Sequence, residues 1–246
     1  MSTIFVYCDE GVCPNSLRAT VRSLKAAANR PVQLVDRHTL ICPGWEEQAA
    51  LIIFPGGRDV PYANALQGAA NQRIRKYVEK GGRYFGICAG GYYGCDSISF
   101  EKGGPLEVMG QRELKFFPGQ AIGPALGLRQ FSYGGLDGAC VAKIGLSSEH
   151  FSIDHAEAYY NGGNLFSKAD SYPKVQVLAR FEKLEEQSAA IVLCHVGQGK
   201  AILSGVHPEY SAKDLPMDAA SLRSELVKAE PKRKELFAKL LTLLIN

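Results

Sequence analysis

The sequence lacks any apolar run long enough to cross a membrane. Its longest runs, at about residues 49–54 and 240–245, fall far below the ~18 residues that a spanning helix needs. The N-terminal stretch "MSTIFVYCDEGV" has no basic segment ahead of its apolar residues and soon meets two acidic ones, which is not typical of a secretory signal. We therefore expect no membrane partner and a cytoplasmic location.

Metal-binding and disulfide patterns are also missing. The five histidines and seven cysteines show neither HxxxH nor CxxC spacing, so the sequence predicts no metal site. An odd number of irregularly spaced cysteines favours a reducing compartment. The net charge is only +3, from 28 basic and 25 acidic residues, and this balance gives no reason to expect nucleic acid as a partner.

What the first ninety residues do contain is a regular alternation of short apolar runs and amphipathic stretches. Strands are predicted at 3–7, 31–35, 50–54 and 83–87. Helices are predicted from Asn15 onward and across 64–80, where two glycines end the second helix. Strands that alternate with helices of this length indicate βαβ units, and hence a parallel sheet covered on both faces.

The pattern changes beyond residue 96 to shorter, turn-rich segments such as "PGQAIGP", "YGGLDG" and "YYNGGN". We interpret residues 96–172 as an insertion of β-hairpins and loops packed on the main sheet. Strands return at 175–181, 189–196 and 200–206, with a hairpin turn at "GQG", and helices are predicted at about 218–228 and 231–244. The simplest organisation is a single domain over residues 1–246 that carries this insertion.

The decapeptide "FGICAGGYYG" places Cys88 directly after a predicted buried strand. A tight strand-to-helix turn projects such a residue from the carboxyl edge of the sheet, and small neighbours are needed to permit that turn. The following helix aims free N–H groups at the sulfur, which favours the thiolate. The alternative is that Cys88 only packs, because free cysteine is among the most buried residue types.

A cysteine nucleophile needs a base, and the stretch "SGVHPEY" offers one after another predicted strand. Pro208 favours an extended conformation at His207, and residues two apart in an extended chain point the same way. His207 and Glu209 are therefore predicted to present an imidazole and a carboxylate on one side. By itself this tripeptide is more often a surface loop.

A third motif, "FPGGRDVPY", also follows a buried strand. Adjacent glycines let the backbone approach a ligand and point its N–H groups inward. We predict the amides of Gly57 and Ala89 as oxyanion donors, although Pro-Gly also suits a plain type II turn. Arg58, Asp59 and Tyr92 are candidates for selecting the ligand, with surface roles as the alternative.

These motifs, together with "YYNGGN" and "GKAILSGVHPEY" in the same order, resemble the N-terminal domain of eukaryotic-type biotin–protein ligases. That family is a branch of the class I glutamine amidotransferase-like superfamily. The resemblance covers nearly the whole chain and implies a three-layer α/β/α, flavodoxin-like α/β fold. It places Cys88, His207 and Glu209 at the catalytic triad positions, and it implies that the segments containing Gly56 and Asn161 line the pocket.

The chain departs from the family's pattern in two respects. Glutamine amidotransferases carry Gly-x-Cys-x-Gly-x-Gln, and Tyr92 occupies the place of that glutamine, which disfavours a pocket selective for a glutamine side chain. The Gly-Arg-Gly-Arg-x-x-Arg loop with which biotin ligases bind biotinyl-adenylate does not occur in these 246 residues. We therefore do not expect this chain by itself to biotinylate a protein.

Two functions of different classes remain. The first is a thiol-dependent amidase or hydrolase that acts on a small carboxamide or acyl substrate and needs no cofactor. The second is a non-catalytic metabolite-binding or regulatory module, with a biotin ligase or carboxylase as its candidate partner. A peptidase or deglycase relative is less favoured, because such proteins commonly take their histidine from the position that Ala89 occupies here.

Overall fold

The computed structural model describes residues 2–126, 131–184 and 188–245. Its first half is built from β1 (Thr3–Tyr7), α1 (Pro14–Ala27), β2 (Val32–Val35), α2 (Arg37–Ile41), β3 (Ala49–Phe54), α3 (Asp59–Leu66), α4 (Ala69–Glu79), β4 (Arg83–Ile87) and α5 (Ala89–Tyr93). The second half adds β5 (Cys95–Phe100), β6 (Val108–Gln111), β7 (Phe117–Gly123), β8 (Ala139–Leu146), β9 (His155–Asn161), β10 (Leu165–Phe166), β11 (Val175–Phe181), β12 (Ala189–Val196), β13 (Gly199–Ser204) and α6 (Ala220–Ile245).

The sheet is mixed, and the strands that carry the predicted motifs form its parallel part. The order along the main path is β2-β1-β3-β4-β13-β12-β10-β7-β5-β6. The five strands from β2 to β13 run parallel, so their carboxyl ends lie at one edge. From β12 outward most of the pairs are antiparallel, although β5 and β7 run parallel.

Alternating side chains along the strands separate two hydrophobic cores. In β1, Phe5 and Tyr7 face one core with residues of α2, α3 and α4, whereas Ile4 and Val6 face the other with residues of α1 and α6. This alternation follows from the two-residue side-chain period of a strand. Helices therefore cover both faces, which confirms the predicted α/β fold with three layers.

The segment predicted as an insertion packed on the sheet instead extends the sheet. Strands β5, β6, β7 and β10 lie on its main hydrogen-bonded path. "PGQAIGP", predicted to be a turn, lies largely within β7, where exposed and buried positions alternate. The glycines there permit close packing, because a Cβ at Gly123 would lie 1.6 Å from the Tyr92 hydroxyl and one at Gly119 would lie 2.8 Å from that of Tyr172.

Two helix predictions also differ from the structure. The helix predicted across 64–80 is divided into α3 and α4 at Gly68, which has φ of 76° and donates its N–H to Glu113 at 2.9 Å. The two helices predicted near the C-terminus form the single helix α6, with Pro231 inside it. Pro231 has no N–H to donate to the carbonyl of Val227, four residues earlier. Val227 is exposed, so water replaces the missing donor and the helix continues.

Within the described residues, no helix combines the length and the apolar character that a membrane span requires.

Candidate functional site

The carboxyl edge of the parallel strands brings the predicted motifs together. Strand β3 leads into Gly56 and Gly57, β4 leads into Cys88, and β13 leads towards His207. Cys88, Gly57 and His207 line one groove. This convergence is the geometry expected where parallel strands end side by side.

Cys88 occupies a strained turn between β4 and α5. Its φ of 51° and ψ of −104° are unusual for a residue with a side chain, and such a conformation costs about 1–3 kcal/mol. Its N–H donates to the carbonyl of Ser204 on β13 at 2.8 Å, which fixes the turn to the neighbouring strand. The predicted need for small neighbours is met, because a Cβ at Gly86 would lie 2.2 Å from the carbonyl oxygen of Gly90. Cys88 is 7% exposed as a residue, and its Sγ lies 3.9 Å from the carbonyl oxygen of Asn161.

His207 and Glu209 bring their side chains together as predicted, but their segment is a turn rather than an extended chain, because the Tyr210 N–H donates to the carbonyl of His207 at 3.3 Å. His207 Nδ1 lies 2.8 Å from Glu209 Oε1, which leaves Nε2 for other contacts. The His207 N–H donates to the carbonyl of Tyr159 at 2.8 Å, and the imidazole packs beside the rings of Tyr159 and Tyr210, which stack on each other with centroids 4.4 Å apart. Backbone and aromatic contacts therefore both fix the position of the imidazole.

The charge on His207 follows from its neighbours. Burial lowers the pKa of the imidazole, but the negative charges of Glu209 and Cys88 and the side-chain hydrogen bonds to both residues oppose it. The net result is a pKa well above the usual value for histidine. This arrangement favours the imidazolium form of His207.

Ser16 of α1 completes the surroundings of the carboxylate. Its hydroxyl donates to Glu209 Oε1 at 3.0 Å and accepts the N–H of Gly56 at 2.9 Å. Ser23, on the same helix, donates to the backbone carbonyl of Glu209 at 2.8 Å. Sequence reasoning missed Ser16, because nothing in the local pattern of the helix indicates a contact with a motif 193 positions away.

The two predicted oxyanion donors lie beside Cys88 in a small inner pocket. Ala89 is the first residue of α5, where an N–H has no partner within the helix. Among the described residues, neither the Gly57 N–H nor the Ala89 N–H donates to a protein acceptor. A Cβ at Gly57 would lie 2.1 Å from the Gly11 carbonyl oxygen, so this close approach requires glycine.

The residues predicted to select a ligand have different surroundings. Arg58 is exposed and lies over the ring of Tyr133, 5.8 Å from its centroid. Asp59 also lines the inner pocket, but Arg112 binds its carboxylate at 2.6 Å. Burial raises the pKa of Asp59, and Arg112 opposes that rise without cancelling it. Sequence reasoning missed Arg112, which lies 53 residues away along the chain.

Tyr92 and Asn161 also line the inner pocket. The Tyr92 hydroxyl donates to the Gly162 carbonyl at 3.0 Å, and its ring packs edge to face against Phe100. The Asn161 side chain donates to the Gly135 carbonyl at 2.9 Å. Tyr92 thus presents its ring, rather than a free hydroxyl donor, to the pocket.

Two cavities of different size meet at Cys88. The inner pocket, on the side of Tyr92, has a volume of about 30 Å³. The outer groove, on the side of His207, has a volume of about 680 Å³. Gly57, Arg58 and Cys88 line both cavities. A water-sized group needs about 10–15 Å³, so the inner pocket has room for only about two or three such groups.

All seven cysteines are free in the structure. In the part of the chain that the structure describes, no group of three or more His, Cys, Asp or Glu side chains could hold a metal ion.

Comparison with known proteins identifies the family. Residues 2–245 match the model of the family described as biotin-protein ligase, N terminal. The chain is 43% identical over 216 residues to an uncharacterized protein of Chlamydia muridarum, a match that covers 85% of this chain and 81% of that protein. It is 38% identical over 188 residues to the biotin–protein ligase of Schizosaccharomyces pombe, a match that covers 76% of this chain.

The match spans 30% of the length of the S. pombe ligase. Among solved structures, a glutamine amidotransferase aligns with a TM-score of 0.58 and 21% identity, over 84% of this chain and 90% of that one. That structural likeness establishes the fold, and the sequence matches establish the family. The chain belongs to the biotin–protein ligase N-terminal family and has a glutamine amidotransferase-like fold.

Proposed function

We propose that the protein is a thiol-dependent amidase or hydrolase that acts on a small carboxamide or related acyl substrate. The observation that carries the proposal is the cluster of Cys88, His207 and Glu209, with the cysteine on a strained turn and the histidine bonded to a buried carboxylate. A strained backbone and a buried ion pair both reduce stability, and such features concentrate at functional sites.

In this proposal the Cys88 thiolate attacks the substrate carbonyl, and a carbon–sulfur bond forms. Collapse of the tetrahedral intermediate breaks the carbon–nitrogen bond, and the amine leaves with a proton from His207. Water then attacks the thioester carbonyl and gives one proton to His207. The carbon–sulfur bond breaks, the carboxylic acid leaves, and the thiolate and imidazolium are restored. Glu209 keeps the imidazole oriented and stabilises its positive charge throughout.

The unused N–H groups of Gly57 and Ala89 would bind the oxyanion of the tetrahedral intermediate. Both lie beside the nucleophile and have no competing protein acceptor among the described residues. In enzymes of known mechanism, one such donor contributes roughly 3–4 kcal/mol to transition-state stabilisation. The reacting carbonyl would therefore enter the narrow inner pocket.

Substrate size follows from the two cavities. An inner pocket of about 30 Å³ holds only the reacting end of a molecule, and the ring of Tyr92 limits it further. The rest of the substrate would lie in the outer groove of about 680 Å³. This supports a small acyl or amide end and disfavours insertion of a complete glutamine side chain.

A second candidate is a non-catalytic module that binds a metabolite and contacts a biotin ligase or a carboxylase. The small volume of the pocket beside Tyr92 favours this binding module. A pocket of that size leaves little room for a substrate to be turned over, but it can still hold the end of a small ligand. Family membership and the match to part of a biotin–protein ligase make such a protein the natural candidate partner. For either function we propose the cytoplasm, where cysteines remain reduced.

The experiment that separates these candidates is alkylation of each cysteine by iodoacetamide, followed by peptide mass analysis, in wild type and His207→Ala. If Cys88 is an assembled nucleophile, it reacts at least about tenfold faster than exposed Cys42 near neutral pH, and removal of His207 abolishes this advantage. A panel of small carboxamides is then assayed for amine release, with Cys88→Ala as the inactive control. A Cys88 rate that is slow and indifferent to His207 rejects the hydrolase and leaves the binding module.

A further inference from the structure

The outer groove that ends at Cys88 carries mostly positive charge. Among the described residues, Arg18, Arg58 and Lys213 line it in addition to His207, and these three side chains are exposed. None of them forms an ion pair with an acidic residue in the described parts of the chain, which are residues 2–126, 131–184 and 188–245. Arg18 donates to the Asn15 side-chain oxygen, but no carboxylate neutralises its charge. A guanidinium or ammonium group without a carboxylate partner can bind an anion in a groove.

Asp214, the one carboxylate among the described residues that line the groove, does not offset these charges. Arg22 binds Asp214 with both of its terminal nitrogens, at 2.5 and 2.6 Å. The Ser211 N–H also donates to Asp214 at 2.8 Å. Burial raises the pKa of Asp214, but these bonds outweigh it and keep the pKa below its usual value. The carboxylate is ionised and already fully engaged, so a ligand in the groove meets mainly unpaired cations.

Arg58 occupies the position closest to the proposed chemistry. It lines both cavities, together with Cys88, and it directly follows Gly57, one of the proposed oxyanion donors. Its contact with the ring of Tyr133 orients the guanidinium. A planar guanidinium held in one orientation can form bidentate hydrogen bonds to a carboxylate or a phosphate.

We infer that the substrate carries an anionic group, a carboxylate or a phosphate, which Arg58 binds beside the reacting carbonyl, with Arg18 and Lys213 attracting it along the groove. This inference rests on the proposed function, because it names the class of acyl compound that Cys88 attacks. The neutral acyl end enters the inner pocket and the charged end remains in the outer groove. Neutral amides of the same size are then poor substrates.

The test compares alkylation of Cys88 by anionic iodoacetate with alkylation by neutral iodoacetamide, at low ionic strength. The ratio of the two rates removes the intrinsic reactivity of the thiol and reports the local charge. Exposed Cys42 in the same chain is the internal reference. We expect the iodoacetate preference at Cys88 to exceed that at Cys42 by at least about fivefold, and to fall when 0.5 M NaCl screens the groove.

The Arg58→Met variant decides the assignment, because the imidazolium of His207 would by itself attract iodoacetate. This variant leaves His207 in place and should lower the preference at least about threefold, whereas Arg75→Met, on α4 outside the groove lining, should leave it unchanged. Equal ratios at Cys88 and Cys42, or a ratio that Arg58→Met does not change, overturn the inference.

Failure of the inference and failure of the proposed function give different results. A fast iodoacetamide reaction without an anion preference keeps the nucleophile and rejects the anionic substrate. A slow reaction with both reagents rejects the hydrolase, yet the ratio still reports whether the groove binds anions. Protection of Cys88 from iodoacetamide by 10 mM glutarate or by 10 mM pyrophosphate then distinguishes carboxylate from phosphate, and protection by neither overturns the assignment.

Discussion

Ser16 and Glu209 lie 193 positions apart in the chain and are joined by a hydrogen bond of 3.0 Å between the serine hydroxyl and the carboxylate. The same hydroxyl accepts the N–H of Gly56. One side chain on α1 therefore connects the carboxylate that orients His207 with the glycine turn beside the proposed oxyanion site. This relationship makes Ser16 a positioning residue for both.

Replacement of Ser16 by alanine should weaken the fold and the proposed nucleophile together. The variant leaves the Gly56 N–H without its acceptor and removes a donor from a fully buried carboxylate, so we expect the free energy of unfolding to fall by about 1–3 kcal/mol. Urea unfolding measures this loss, and iodoacetamide labelling of Cys88 should slow in parallel. Ser221→Ala, at an exposed position on α6, is the control and should change neither quantity.

The sequence predicts those parts of the site that follow strands directly. The turn at Cys88 and the "HPE" segment each follow a strand. Residues that follow neighbouring parallel strands lie at the same edge of the sheet, independently of how the other segments pack. Ser16 and Arg112 could not be predicted, because each meets its partner only after distant segments pack. The sequence predicts Gly123 in a turn, yet it lies in strand β7, where the Tyr92 hydroxyl leaves no room for a Cβ.

The pKa of His207 should depend on Cys88. Burial lowers the pKa of His207, but the charges of Glu209 and Cys88 raise it well above the usual value. In the proposed mechanism Cys88 is a thiolate, and Cys88→Ser replaces it with a neutral hydroxyl, so the proton should leave His207 at a lower pH than in wild type. Titration of the histidine Hε1 resonances by NMR measures this shift, with the His207 signal assigned from a His207→Gln variant. Cys42→Ser should leave the titration unchanged, and an unaltered pKa in Cys88→Ser contradicts the thiolate–imidazolium pair.

Gly56 is expected to tolerate no side chain, because the imidazole lies directly against it. A Cβ there would lie 2.5 Å from His207 Cε1 and 3.1 Å from the Ser16 hydroxyl, so Gly56→Ala must displace one of the two. We expect iodoacetamide labelling of Cys88 to slow about tenfold, and stability to fall by about 1–3 kcal/mol. Gly145→Ala on β8 is the matched control, because its nearest neighbour would be 3.9 Å away. Equal labelling rates in the two variants would show that His207 does not assist the thiol.

Arg233 on α6 is expected to fix the position of the "HPE" segment through a hydrogen bond to its backbone. It is almost fully buried, and its guanidinium donates to the carbonyl of Pro208, between His207 and Glu209, at 2.6 Å. Burial lowers the pKa of Arg233, and the negative charges of Glu230 and Glu209 oppose that shift only in part. Arg233→Met keeps most of the side-chain length but removes the donor, so we expect stability to fall by about 1.5–3 kcal/mol and labelling of Cys88 to slow.

The matched control for Arg233 lies on the same helix. Arg223 donates to the backbone carbonyl of Leu215 at 2.7 Å, a bond of the same kind that does not involve the "HPE" segment. Arg223→Met should therefore reduce the free energy of unfolding in urea without changing the labelling rate of Cys88. A variant of Arg233 that loses stability yet labels at the wild-type rate would restrict that residue to a structural role. Slower labelling in Arg233→Met alone would identify a positioning residue that acts on the proposed nucleophile through the backbone between His207 and Glu209.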